Sequence, residues 1–352
     1  MKCSWYCTSQ TIFSKIKMIK GLTQEEFQSQ RREKLFGFDF YSERADDLAS
    51  MIPIAQRNLA DPTWVATKGE GRAMLAASGS ADLSVDLLTL SYSAGVNLAE
   101  LRGFYPFVVD TWLVNQKFQL AYHQSPAGAS STTATYALLG DDFEVVNRMV
   151  CFGILLGWGK LLPHVARIIE YNNPRMDGML ERLLSYFVPN RNTSITECTR
   201  HLPYFKTLKI FNAPASARSD LMADYLEDWY VASRREPYYD SHTRDISFKG
   251  YWSWEAAAIT FLLDIDDSSY RAAEFYPADL VDFARRAKLD EASAERLEVD
   301  AKERRMRAGD VCPKAGTWQS IDIPSTTKIF SEGEIAPDLG SRYGLTVWRY
   351  SE

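Results

Sequence analysis

The sequence predicts an all-α fold: a two-part helical bundle with a small β-rich appendage at its C-terminus. Three observations carry this. From Thr23 to about Ala308, apolar residues recur every three or four positions, as in Leu87, Leu90, Ala94, Leu98 and Leu101 and again in Val145, Met149, Phe152 and Leu156. Helix boundary signals punctuate that pattern. The last 42 residues switch to short β-branched and aromatic runs broken by Pro and Gly. With 46% hydrophobic and 24% charged residues, the 352-residue chain can bury one extended core or two smaller ones.

Taken in order, residues 1–22 are expected to be a flexible leader with Met18 as an alternative start, because the first firm helix signal is the capping box of Thr23 and Glu26. The leader lacks the apolar stretch of a signal peptide, so the expected location is cytoplasmic. Residues 23–135 are assigned to an N-terminal helical domain, with helix starts at Asp61-Pro62 and Tyr105-Pro106. The uncharged stretch SPAGASSTTATYALLG, residues 125–140, reads as the connector. Residues 141–288 form the C-terminal helical domain, with helices expected around 143–171, 176–187 and 217–233 and a last one opening at Pro277. Asp141 and Asp142 suit a helix start. Residues 289–308, charged on nearly every face, read as a connector helix, and 309–352 as the β-rich tail.

The longest apolar run, Met149 to Trp158, is about half the roughly 20 residues that cross a bilayer, so it reads as a buried helix and no membrane partner is expected. Five scattered cysteines, Cys3, Cys7, Cys151, Cys198 and Cys312, offer neither a disulfide framework nor a zinc site. No cofactor is expected. His123, His164, His201 and His242 fall in no metal spacing, and no P-loop, dinucleotide fingerprint or nucleophile elbow is present. Asp264, Asp266 and Asp267 miss the calcium-loop pattern, since no glycine follows and Phe275 stands where the bidentate acid belongs. Asp266 to Ser269 instead reads as a capped turn.

Charge is concentrated in one place. Between Asp220 and Asp282, fourteen acids face five bases, a net of −9 in a chain of net −6. Such a segment disfavours nucleic acid and favours a basic protein partner, or else is a solvated surface. Glu255 lies early in the apolar helix SWEAAAITFLL, where it suits the helix N-terminus or is buried against Arg234, Arg235 or Arg244.

Residues 226–285 carry LEDWY, SRREPYYDSH, GYWSWEAAA, DIDDSSYR and YPADLVDFAR in that order. This block resembles the C-terminal domain of the PoNi family, polymorphic nuclease immunity proteins of bacterial toxin systems, notably type VI secretion. EVVNRMVCFGILLGWGKLL and LLSYF look like earlier helices of the same domain, and residues 23–125 look like the family's N-terminal domain. The resemblance implies a non-catalytic, helical protein that binds a cognate nuclease toxin and blocks it. With the negative charge concentrated there, Asp264, Asp266, Asp267, Tyr270, Glu274 and Asp279 are the expected acidic toxin-facing surface. Trp229, Arg234, Arg235, Tyr239, Trp252, Trp254 and Glu255 are then the packing residues and internal ion pairs of the domain. The tail looks similar to a short module attached to some secretion-associated immunity proteins, and a homodimer is a further expectation. Two alternatives stay open: a non-catalytic helical scaffold, and a metal-dependent hydrolase using Glu255 and Asp266.

Overall fold

The computed structural model describes residues 19–244, 247–288, 305–321, 326–340 and 346–351. It divides into two compact units, residues 1–285 and 286–352. The first unit is helical. It comprises α1 (Gln24–Gln30), α2 (Phe38–Ala60), α3 (Pro62–Lys68), α4 (Glu70–Ala94), α5 (Leu98–Gln124), α6 (Gly140–Leu155), α7 (Leu162–Glu170), α8 (Gly178–Leu184), α9 (Thr207–Asn212), α10 (Ala215–Ala232) and α11 (Trp254–Leu262). A final helix, α12, covers described residues 278–288.

Several ends form as the sequence dictates. Thr23 and Glu26 make the reciprocal capping box, and the Asp61 side chain accepts from the Thr63 amide at 2.8 Å, with Pro62 as the first helical residue. Gly95 ends α4 at φ 103°, and an added side chain there would collide with the Gln30 carbonyl. Residues 19–22, assigned to the leader, belong to the fold: Ile19 is buried, and the Leu22 amide donates to the Tyr41 hydroxyl. Residues 1–18 lie outside the described residues.

Tyr105-Pro106 does not start a helix, because Asn97 caps Ala99 and α5 runs unbroken through Pro106. Proline cannot donate to the carbonyl four residues back. That carbonyl, on Arg102, accepts instead from the Trp158 indole N–H at 2.7 Å. The helix expected over 143–171 is two, α6 and α7, separated by a turn in which Gly157 sits at φ 73°.

α4 and α5 pack as a pair, α2 lies on α4, and α6 packs against α4, α7, α8 and α11. α4 is, among the described residues, one helix long and apolar enough to cross a membrane, although 56% of its most apolar window is buried inside this fold. One apolar core runs from Ile19 to Ala284 and takes residues from both sides of the 125–140 connector. The connector therefore does not divide two cores: Tyr136 from it stacks on Trp112 of α5 at 4.2 Å, and the Ala137 amide donates to Asp142 of α6.

The second unit holds a four-stranded antiparallel sheet in the order β1-β4-β2-β3, from β1 (Arg305–Arg307), β2 (Gly316–Ser320), β3 (Thr327–Phe330) and β4 (Val347–Tyr350). The expected connector helix is corrected at its end, since 305–307 is a strand paired with β4; residues 289–304 lie outside the described residues. Met306, Cys312, Trp318, Phe330 and Trp348 make this unit's own small core. Each indole is satisfied, Trp318 by the Lys314 carbonyl and Trp348 by that of Pro337.

Candidate functional site

The acidic turn follows α11. Asp264 takes a left-handed conformation at φ 50°, which ends the helix, and Asp266 accepts from the Ser268 amide at 3.0 Å as an Asx turn. The structure divides the six residues assigned to the toxin-facing surface into two sets. Asp264, Asp266 and Glu274 are exposed. Asp267 and Tyr270 are buried, and Asp279, its side chain still 44% exposed, is held by contacts within the protein.

Asp267 is 5% exposed and accepts from Arg285 at 2.9 Å, Arg271 at 3.0 Å and the Tyr276 hydroxyl at 3.1 Å. Burial opposes its charge, but the Arg285 hydrogen bond and charge, with Tyr276 and Arg271, outweigh it and hold the carboxyl below its usual range. Arg285 also donates to the Ile265 carbonyl, so one guanidinium from α12 clamps the turn twice. Tyr270 is buried against Thr260, and burial pushes its phenol up to about 12. Asp279 reaches the other half of the unit: it accepts from Arg32 Nε at 2.6 Å and the Tyr92 hydroxyl at 2.6 Å, while Arg32 lies over the Tyr92 ring. The sequence offers no local cue for these partners, because Arg32 is 247 residues from Asp279.

Glu255 is buried, and its partners are not arginines. Its Oε1 accepts from the Tyr225 hydroxyl at 2.7 Å, Trp229 Nε1 at 2.8 Å and the Ser253 hydroxyl at 2.6 Å, and its Oε2 accepts from Asn147 at 3.1 Å. Those donors come from α10, α6 and the chain entering α11, so the carboxylate ties three helices together. The negative charge of Glu255 adds to burial in raising the Cys151 thiol well above its ordinary value, which makes that cysteine a core residue rather than a nucleophile.

Of the other motif residues, Trp229 is buried and stacks on Tyr238, while Trp252 and Trp254 both pack on Tyr92. Tyr239 lies against Tyr230. Arg234 and Arg235 correct the expectation of internal ion pairs, since both are exposed. The pair in that motif is Glu236 with Arg200, at 2.7 Å. Each histidine has an ordinary neighbour: His123 meets Tyr171, His164 meets Arg167, His201 stacks on Phe205 and His242 meets Tyr251. No group of three or more metal-ligating side chains occurs among the described residues.

The sequence reading passed over the outer face of α10. Asp220, Asp224, Glu227 and Asp228 are all exposed there, at a spacing of four, seven and eight residues from the first. That spacing was present in the sequence and was the signal available. The Ser219 hydroxyl, beside Asp220, donates to the Asp266 carbonyl at 2.8 Å and meets Ser269 at 3.1 Å, so the acidic turn abuts the start of this helix.

Fold and surface together define an acid-faced helical protein whose buried carboxylates are structural. Residues 175–280 match the family described as PoNe immunity proteins (PoNi), C-terminal, so this segment is a PoNi-type C-terminal domain. The crystal structure of protein PA2201 from Pseudomonas aeruginosa is similar in fold, with a TM-score of 0.60 and 19% identity over 74% of this chain and 92% of that one. No curated protein matches the sequence.

Proposed function

We propose that this chain is an immunity protein that binds a cognate secreted nuclease toxin and neutralises it by covering the toxin's basic active-site region with an acidic helical surface. The observation that carries the reading is the family match over residues 175–280, which overlaps most of the 220–282 segment of net charge −9. A nuclease must hold a polyanion, so its cleft is basic, and an acidic surface complements it. The exposed Asp264, Asp266 and Glu274 supply part of that surface.

The protein acts in the cytoplasm of the producing cell, on an effector delivered by type VI secretion, without cofactor or catalysis. The hydrolase alternative loses its support, because the Glu255 carboxylate is 1% exposed and fully engaged by four donors. A scaffold role would keep the same fold but needs no toxin. Co-expression with the product of the adjacent reading frame, tested for toxicity on its own, separates the two. Survival that depends on this chain supports immunity; death despite soluble expression of this chain refutes it.

A further inference from the structure

A groove runs between α9 and α10 that none of the contacts described above occupies. One concavity of about 540 Å³ is lined by Leu208, Ile210 and Leu221 together with Arg182, Lys206 and Lys209, with Phe205 38% exposed at its edge. A second concavity of about 580 Å³ continues it past Lys209 and Leu221 towards Pro214 and Ala217. The α10 wall carries the acidic stripe, and Val231 follows on the same face at 65% exposed.

Of the four stripe carboxylates, Asp228 is paired with Lys206 at 2.7 Å, while Asp220, Asp224 and Glu227 make no ion pair among the described residues. Both members of that one pair are well exposed, at 40% and 64%, so it opens at little cost.

We propose that this groove is the docking site for the nuclease, and that its occupant is a toxin segment presenting an apolar side chain flanked by lysine or arginine. The proposal rests on the immunity reading above. The apolar lining accepts the anchor, and the α10 carboxylates receive the flanking cations. Arg182, Lys206 and Lys209 also line the groove, so the acidic wall is that of α10 alone, and a second copy of this chain, of net charge −6, would bring a like-charged surface to that wall. Since the acidic turn abuts α10 through Ser219, the exposed Asp266 carboxylate extends the same wall.

The test uses the full chain and the purified product of the adjacent reading frame, with association and dissociation followed by biolayer interferometry at two salt concentrations. Asp220→Lys with Asp224→Lys should slow association at least tenfold at low salt and flatten its salt dependence. Phe205→Ala should speed dissociation. The control, Asp46→Lys with Asp47→Lys on exposed positions of α2, makes the same charge change elsewhere and should alter association less than threefold. Circular dichroism and melting temperature establish that each variant is folded. Equal effects of the two double variants would overturn the groove as the docking site, as would normal kinetics in the α10 variant, and either result would leave the immunity reading intact. Failure of the wild-type chain to bind at all would overturn that reading and the groove proposal with it.

Discussion

Arg285 Nη1 lies 2.9 Å from Asp267 Oδ1, and the same guanidinium holds the Ile265 carbonyl at 2.8 Å. The acid at the centre of the DIDDSSYR motif therefore spends its charge inside the protein, fixing the turn after α11 to α12. Its neighbour Asp266 faces solvent. Two adjacent aspartates thus have separable roles, which a joint substitution would confuse.

Asp267→Asn should destabilise the protein by about 1–3 kcal/mol, because two arginines and a tyrosine hydroxyl lose a charged acceptor in a buried position. Asp266→Lys should change stability by no more than about 0.5 kcal/mol. Thermal melts of the two single variants check this. Equal losses would mean that the turn, rather than the ion pairs, is what matters. The Asp267 carboxyl is held below its ordinary value, so the stability it contributes is present above the unfolded pKa of about 3.9 and is lost as pH falls through the folded one. The Asn variant should lack that part of the acid limb.

Asp82 has the opposite sign. Burial, followed by the charges of Asp86 and Asp142, pushes its carboxyl up to about 7. The folded state then holds a proton that the unfolded state releases near pH 4, so this group lowers stability as pH rises from about 4 to 7. Asp110, raised to about 6 by burial, acts in the same direction. Urea unfolding at a series of pH values should show a flatter slope for Asp82→Asn than for wild type. An unchanged slope would show that Asp82 ionises normally.

Glu255→Gln should cost about 1–3 kcal/mol, since an amide nitrogen replaces one of two oxygens that together accept four hydrogen bonds, leaving a donor facing a donor. Equilibrium denaturation measures the loss. A variant of wild-type stability that abolished a metal-dependent turnover would restore the hydrolase reading.

A chain ending at residue 288 should remain helical and unfold cooperatively, because Trp318 and Trp348 pack in a core of their own with Met306 and Phe330. Near- and far-ultraviolet circular dichroism of that truncation checks it. Aggregation would show that the helical unit depends on the tail.

What the sequence could show depended on the range of the interactions. Caps at Thr23 and Asp61, the acidic start of α6 and the turn at Asp266 are local, and each was legible from a few neighbouring residues. Pro106 misled because its freed carbonyl partner is satisfied by Trp158, 56 residues from Arg102. The candidate surface was legible as a concentration of charge but not as a geometry. Asp279 belongs to Arg32 and Tyr92, and Asp267 to Arg285, through contacts that only the folded chain creates. The α10 stripe needed no such contact, and its helical spacing could have been read directly.

The most direct test of the central claim is a titration of this chain into the purified product of the adjacent reading frame, with cleavage of DNA and of RNA followed over time. The account predicts that cleavage falls linearly and ends near one equivalent, at low and physiological salt alike, because the complex is specific and tight. Full cleavage in the presence of a tenfold excess of folded protein would contradict it.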